Sequence, residues 1–151
     1  MRDAFGGEFM CRLMLVFIVI YVSFTAVSLN YAKAFRVKNK VISYIEENDI
    51  KDLKYVDYEN LGSIISNHQY TKKCKNGNGQ YNDNTICCNG VLIEKKIETN
   101  SSYNYEVTTY ADWNLGTLNM LFGFGKKEQE KNEIVEGMFK INGNAYVRKR
   151  I

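Results

Sequence analysis

The chain has 151 residues, 45% of them hydrophobic, 25% charged and 13% aromatic, with 11 Tyr, which fits one folded domain plus an anchor. Lys and Arg number 20 against 17 Asp and Glu, and a net charge of +3 is too weak to argue for nucleic acid. With a single histidine, His68, histidine-based metal clusters and most acid–base dyads are out of reach.

Residues 1–12 read as an N-terminal flank, with Glu8 and Arg12 four apart and able to pair on a continuing helix. Cys11 reads as a small hydrophobe at a membrane edge, or an acylation site. From Leu13 to Leu29 (LMLVFIVIYVSFTAVSL) the chain has no charge, Pro or Gly. Carried on to residue 32, this run is about 20 residues, the length that crosses ~30 Å of hydrocarbon as a helix. Lipid offers the backbone no partner, so a lone span must be helical despite its β-branched residues. Membrane lipid is therefore the first expected partner. Arg2 and Arg12 before the run, and Ala26/Ser28 or Ala32/Ala34 after it, also fit a cleaved signal peptide. The run is longer than a usual h-region and the helical pattern continues past it, which favours a retained anchor.

Residues 33–49 read as an amphipathic continuation. Tyr31, Ala34, Phe35, Val41, Ile42 and Ile45 recur at three- and four-residue steps, while Lys33, Arg36, Lys40, Glu46 and Glu47 fall mostly elsewhere. No Gly or Pro interrupts Glu8 to Asn48, which predicts one helix of roughly 40 residues, about 60 Å long. Lys33, Arg36, Lys38 and Lys40 follow the span, and a strict positive-inside count would place the C-terminal part in the cytoplasm.

Residues 50–89 read as a short helix over Tyr58–Tyr70, with an apolar face of Leu61, Ile64 and Ile65, and a polar loop over Lys72–Asn89. A bridge from Cys74 to Cys87 or Cys88 would close a loop of about 14 residues, worth roughly 3 kcal/mol, and suits an exported domain. Free thiols and a zinc site are the alternatives, zinc being poorly served by three Cys with no C-x-x-C pair. Asn76, Asn78, Gln80, Asn82 and Asp83 mimic alternating calcium ligands, but with one carboxylate they read as a solvated loop.

Residues 90–151 read as an antiparallel sheet. Val91, Ile93 and Ile97 alternate with Glu94, Lys96 and Glu98, and Tyr103, Tyr105, Val107 and Thr109 alternate with polar residues; Thr99–Ser102 joins the two runs. Trp113–Phe124 is apolar and irregular, and Lys126–Glu133 is a charged excursion. Ile134–Ile141 and Ala145–Ile151 predict a last hairpin turning at Asn142-Gly143. The expected fold class is α+β: a long N-terminal helix, membrane half plus amphipathic half, packed across one face of a four-stranded antiparallel sheet. Asn100-Ser101-Ser102 matches a glycosylation sequon, and Gly123-Phe124-Gly125 is too short for a phosphate loop. Trp113 with Tyr103, Tyr105 and Tyr110 is the one candidate stacking surface, against plain core packing. No nucleophile–base pair and no Gly-rich phosphate cradle is legible. The expectation is a non-enzyme with no cofactor and no evident small-molecule substrate; a small enzyme would need a cleft around His68 or Asp112.

This layout resembles type IV pilins and pseudopilins, and TadE-like minor pilins in particular. The matching parts are GGEFMCRLMLVFIVIYVSFTAVSL, then NYAKAFRVKNKVISYIEEN, then the strands after Gly90. In those families an N-terminal helix has a membrane half and an amphipathic half that packs on an antiparallel sheet. The processing site departs from the pattern: Gly7 directly precedes Glu8, so a cut after Gly6 or Gly7 places Glu8 earlier than the fifth position of the mature helix. The resemblance implies a structural subunit of a pilus or secretion apparatus. Its N-terminal helix would pack on other pilin-like or assembly-platform subunits, Glu8 would offset a neighbour's amine or Arg12, and the sheet domain would lie outside the cell membrane. The competing expectation is a solitary membrane-anchored or secreted binding module presenting Lys72–Asn89 and Leu115–Glu133.

Overall fold

The computed structural model describes residues 2–96, 98, 101–111, 134–135 and 139–149, the side chains of residues 2–5 apart. A single helix, α1, runs unbroken over Arg2–Glu47, 46 residues and about 69 Å. It ends just before Asn48 and Asp49. Asp49 takes a left-handed φ of 47°, its N–H reaches Glu46 O at 3.4 Å, and the N–H of Ile50 reaches back to Ile45 O at 3.3 Å. That is a Schellman closure, and Ile50 and Ile45 pack together in the core beside it.

A 3₁₀ turn (Leu53–Tyr55) leads to α2 (Tyr58–Asn67), shorter than the expected Tyr58–Tyr70. Asp57 caps α2: its carboxylate accepts from the N–H of Glu59 and Asn60 at 3.0 and 3.2 Å.

The sheet corrects the expected strand count. It has five antiparallel strands in sequence order: β1 (Gly79–Asn82), β2 (Thr85–Cys88), β3 (Val91–Lys95), β4 (Ser102–Ala111) and β5 (Phe139–Arg148). Residues 72–89, expected as a loop, contribute β1 and β2. Their polar and Cys-rich sequence lacks alternation, and they are strands because β2 pairs with β3 along its whole length. Asn89 and Gly90 form the two-residue turn between β2 and β3, both at positive φ (44° and 76°), as a type I′ hairpin requires.

The second correction concerns Asn142-Gly143. This dipeptide is no turn: β5 runs straight through it and pairs with β4 from Ser102↔Arg148 to Ala111↔Phe139. The reason is the helix overhead. A Cβ on Gly143 would lie 2.7 Å from Ile42 Cδ1 and 3.0 Å from Lys38 Cδ, so this glycine marks close approach of α1 to the strand. Of the expected last hairpin, Val135 instead makes an isolated bridge with Cys74. Expectations for Ile97, Asn100, Asp112, Trp113–Phe124, Gly125, Lys126–Glu133 and residues 150–151 fall outside the described residues.

Alternation sorts the sheet into two faces. Ile86, Cys88, Val91, Ile93, Tyr105, Val107, Ala145 and Val147 join Val37, Val41 and Ile45 of α1 and Leu61 and Ile65 of α2 in the main core. Cys87, Leu92 and Tyr110 point the other way, into a smaller cluster with Cys74 and Val135. The helix lies across one sheet face, on β4 and β5, in line with the α+β expectation.

Candidate functional site

Among the described residues, the feature without a partner is the first half of α1. Phe9, Met14, Phe17, Tyr21 and Phe24 are each more than 60% exposed. An 18-residue window of α1 with mean hydropathy 2.2 is not buried by the other described residues, which makes α1 a candidate single membrane span. An apolar surface of this extent on a soluble protein is a site of association or aggregation. Its polar atoms suit lipid. Ser23, Thr25 and Ser28 donate their hydroxyls to the carbonyls of Val19, Tyr21 and Phe24 at 2.8, 2.9 and 2.9 Å. Each is satisfied within its own helix, as a hydrocarbon environment demands. At the N-terminal end Arg12 Nη2 and Glu8 Oε1 pair at 2.6 Å one turn apart. The sequence anticipated both residues and their pairing; in this chain Glu8 meets its own Arg12.

From Ala34 onward the same helix is seized by the domain. Ala34, Val37 and Val41 are fully buried. Thr109 Oγ1 donates to Ala34 O at 3.0 Å, a buried cross-link between sheet and helix 75 residues apart in sequence. Along the outer edge of β5, Glu46 Oε1 accepts from the N–H of Tyr146 at 3.1 Å, and Lys38 Nζ lies 3.4 Å from Asn142 O and 4.3 Å from the Phe35 ring centroid. Helix side chains thus occupy part of an open sheet edge that would otherwise invite another strand. The sequence places Thr109 on a strand, Lys38 in the basic cluster and Glu46 off the apolar face, but not these contacts, because they depend on a register only the folded sheet sets. Lys38 shows that one cation of the post-span cluster serves packing.

The cysteine alternatives resolve. Cys74 is disulfide-bonded to Cys87, while Cys88 is a buried free thiol and Cys11 an exposed one. Cys87 and Cys88 are neighbours on β2 and face opposite sides of the sheet, and Cys74 lies on the Cys87 side. Cys88 Sγ instead reaches Tyr58 O at 3.7 Å, and burial pushes its thiol up to about 11. Once β2 is a strand, its two-residue period puts Cys88 on the Ile86 side and leaves Cys87 to meet Cys74; the sequence of residues 72–89 carries no signal of that strand. Lys75 N donates to Ile134 O at 2.9 Å, so residues 134–135 brace the bridge from outside.

The remaining candidates separate. Asn78 and Asn89 bind each other, Nδ2 to Oδ1 and N to Oδ1 both at 2.7 Å, so Asn78 clasps the β1–β2–β3 ribbon. Among the described residues no three His, Cys, Asp or Glu side chains gather as metal ligands. His68 Nδ1 donates to Ile64 O at 2.9 Å at the end of α2. Tyr103 and Tyr105 lie on the helix side of β4 and Tyr110 on the other, so they form no common stacking surface. Tyr70, read from sequence only as the end of a helix, ties the β2–β3 turn to β4: its OH accepts from Tyr110 N at 2.8 Å and lies 3.2 Å from Gly90 O. Comparison with protein-family models, curated proteins and solved structures finds no significant match for this chain.

Proposed function

We propose that the protein is a non-enzymatic, membrane-anchored structural subunit, minor-pilin-like, in which the first half of α1 lies among lipid and neighbouring helices and the sheet domain stands outside the membrane. The observation that carries this reading is the continuity of α1: one unbroken rod whose first half is exposed and apolar and whose second half is the spine of the sheet. Nothing in such a layout needs chemistry; apolar surface and fixed geometry are the working parts. The Cys74–Cys87 bridge supports an oxidising, extracytoplasmic compartment for the domain. The burial of Lys38 against β5 weakens the topological weight of the basic cluster that argues the opposite way.

The competing module reading presents Lys72–Asn89 and Leu115–Glu133 as its binding surface, of which Leu115–Glu133 lies outside the described residues. Lys72–Asn89 is a disulfide-stapled pair of strands, which supports a scaffold more than an adaptable binding surface.

The test is photo-cross-linking in host membranes from probes placed at Phe17 and Phe24. Adducts with helices of other subunits, in a chain that resists alkaline carbonate extraction, are expected. Adducts with lipid alone would leave an anchor without assembly and overturn the subunit reading. Release by carbonate would overturn the anchor as well.

A further inference from the structure

We propose that the stripe Lys33, Arg36 and Lys40 is a docking surface for anionic lipid headgroups, which draws the near end of the domain onto the bilayer. This rests on the anchoring reading above and adds a lipid-specific contact to it.

The charge of the second half-helix is segregated. Between residues 30 and 45 the charged residues are Lys33, Arg36, Lys38 and Lys40, with no acid; Glu46, Glu47, Asp49, Asp52, Asp57 and Glu59 then crowd the far end. Lys38 turns inward against the sheet, while Arg36 and Lys40 are exposed and Lys33 half-buried. Steps of three and four residues put Lys33, Arg36 and Lys40 on one side of α1, where like charges repel. The ion pairs among the described residues do not include them. A cationic stripe of this kind is self-unfavourable until an anionic surface faces it.

Geometry supplies that surface. At 1.5 Å per residue, Lys33 stands about 6 Å and Arg36 about 10 Å beyond Leu29, within or just above a headgroup layer of roughly 5–8 Å. Helical side chains lean toward the helix N-terminus, which here is toward the bilayer. Lys40, one turn further out, remains within reach of the surface potential after that lean. The sheet follows the helix, because Ala34, five residues past Leu29, is already buried and bonded to Thr109, so a change in the depth or tilt of α1 carries the near end of the domain with it. Each cation near an anionic surface is worth about fivefold in partitioning.

The test uses the full chain in nanodiscs of phosphatidylcholine alone, or with about 30 mol% phosphatidylglycerol, both carrying a trace of paramagnetic headgroup lipid. Amide broadening at Thr109–Ala111 and Phe139–Ile141, the end of the sheet beside Ala34, should be at least about twofold greater in the anionic discs. It should fall to the zwitterionic level in about 0.5 M salt and in the variant K33E/R36E/K40E. The variant K51E/K54E, which removes cations from the far end, should keep the full response, and K33Q/R36Q/K40Q should lose it without added repulsion. Equal broadening in the two disc types, or an unchanged response in K33E/R36E/K40E, overturns the proposal. Carbonate extraction of the same samples separates the readings. A chain that leaves the bilayer defeats the anchor; a chain that stays but ignores lipid charge defeats the headgroup surface alone.

Discussion

Two glycines set a clear test of what a missing Cβ is for. Gly90 sits at φ 76° in the β2–β3 turn, and a Cβ there would collide with the backbone and Cβ of Lys72. Backbone cannot step aside, so Gly90→Ala should cost about 2–4 kcal/mol from strain and overlap together. Gly143 is extended, and its added Cβ would meet only the far ends of Ile42 and Lys38. Those side chains can shift, and alanine suits a strand better than glycine, so Gly143→Ala should change stability by no more than about 1 kcal/mol. Thermal unfolding of the two variants decides the contrast. The buried thiol sets a second test. Desolvation raises Cys88 to about 11 and Tyr105, whose OH has no partner, to about 12. Both groups are neutral when buried, so the unfolded chain loses their protons first as pH rises. Their contribution is complete below the unfolded value near 9 for the thiol and is lost as pH climbs toward 11, with Tyr105 adding to the loss between about 10 and 12. The melting temperature should hold to pH 8 and fall steadily above 9, with a shallower fall in Cys88→Ala. A flat profile to pH 11 in the parent chain would refute the buried-thiol account.

Elements were legible where period and partner agreed. The half-helix after Asn30 carries its apolar residues at helical steps and β4 carries its own at steps of two, and each forms where the pattern lies. Asn-Gly occurs four times, at 76–77, 78–79, 89–90 and 142–143, and the last two lie next to or within strands. At Asn89-Gly90 both residues take positive φ and the chain turns; at Asn142-Gly143 the strand continues because ten pairs with β4 and the overlying helix favour extension. Local sequence cannot rank those outcomes, since the deciding contacts come from β4, about 30–45 residues away, and from α1, about a hundred. β1 and β2 were hidden for a related reason: their strand character rests on pairing and on the bridge to Cys74, not on β-branched alternation. The same non-local logic protects β5, whose outer edge is partly closed by α1. Glu46→Ala removes the acceptor of the Tyr146 N–H. The amide can still reach water, so the expected loss is about 1 kcal/mol. Hydrogen exchange at Tyr146 should speed up by several-fold, and Glu46→Gln should restore most of the protection because an amide oxygen also accepts. Unchanged exchange in Glu46→Ala would mean that the edge is guarded by something else.

At the scale of the whole molecule, the apolar span was the most legible feature, because twenty uncharged residues in lipid leave the backbone no choice but helix. The coupling of that span to the sheet was only half legible: the amphipathic face predicts a packed surface, but not that the grip begins at Ala34 through Thr109 or ends at Tyr146 through Glu46. Between Leu29 and Ala34 the rod passes from the apolar span to the domain, with Ala32 and Lys33 only half-buried among the described residues, so its stiffness there depends largely on backbone hydrogen bonds. Asn30→Pro deletes one of them and sets the proline ring against the carbonyl of Ala26, a local cost of about 3 kcal/mol relieved by a kink. The two ends keep their own stabilisation, since the span holds its place by lipid and the second half by the core. The variant should therefore melt within a few degrees of the parent and resist carbonate extraction as well as it does. What it should lose, on the proposed subunit reading, is alignment: cross-links from Phe17 and Phe24 to neighbouring helices should fall sharply, because a subunit whose domain points elsewhere cannot stack in register. A variant that folds, stays anchored and still cross-links at the parental level would show that the unbroken rod is not what positions the subunit.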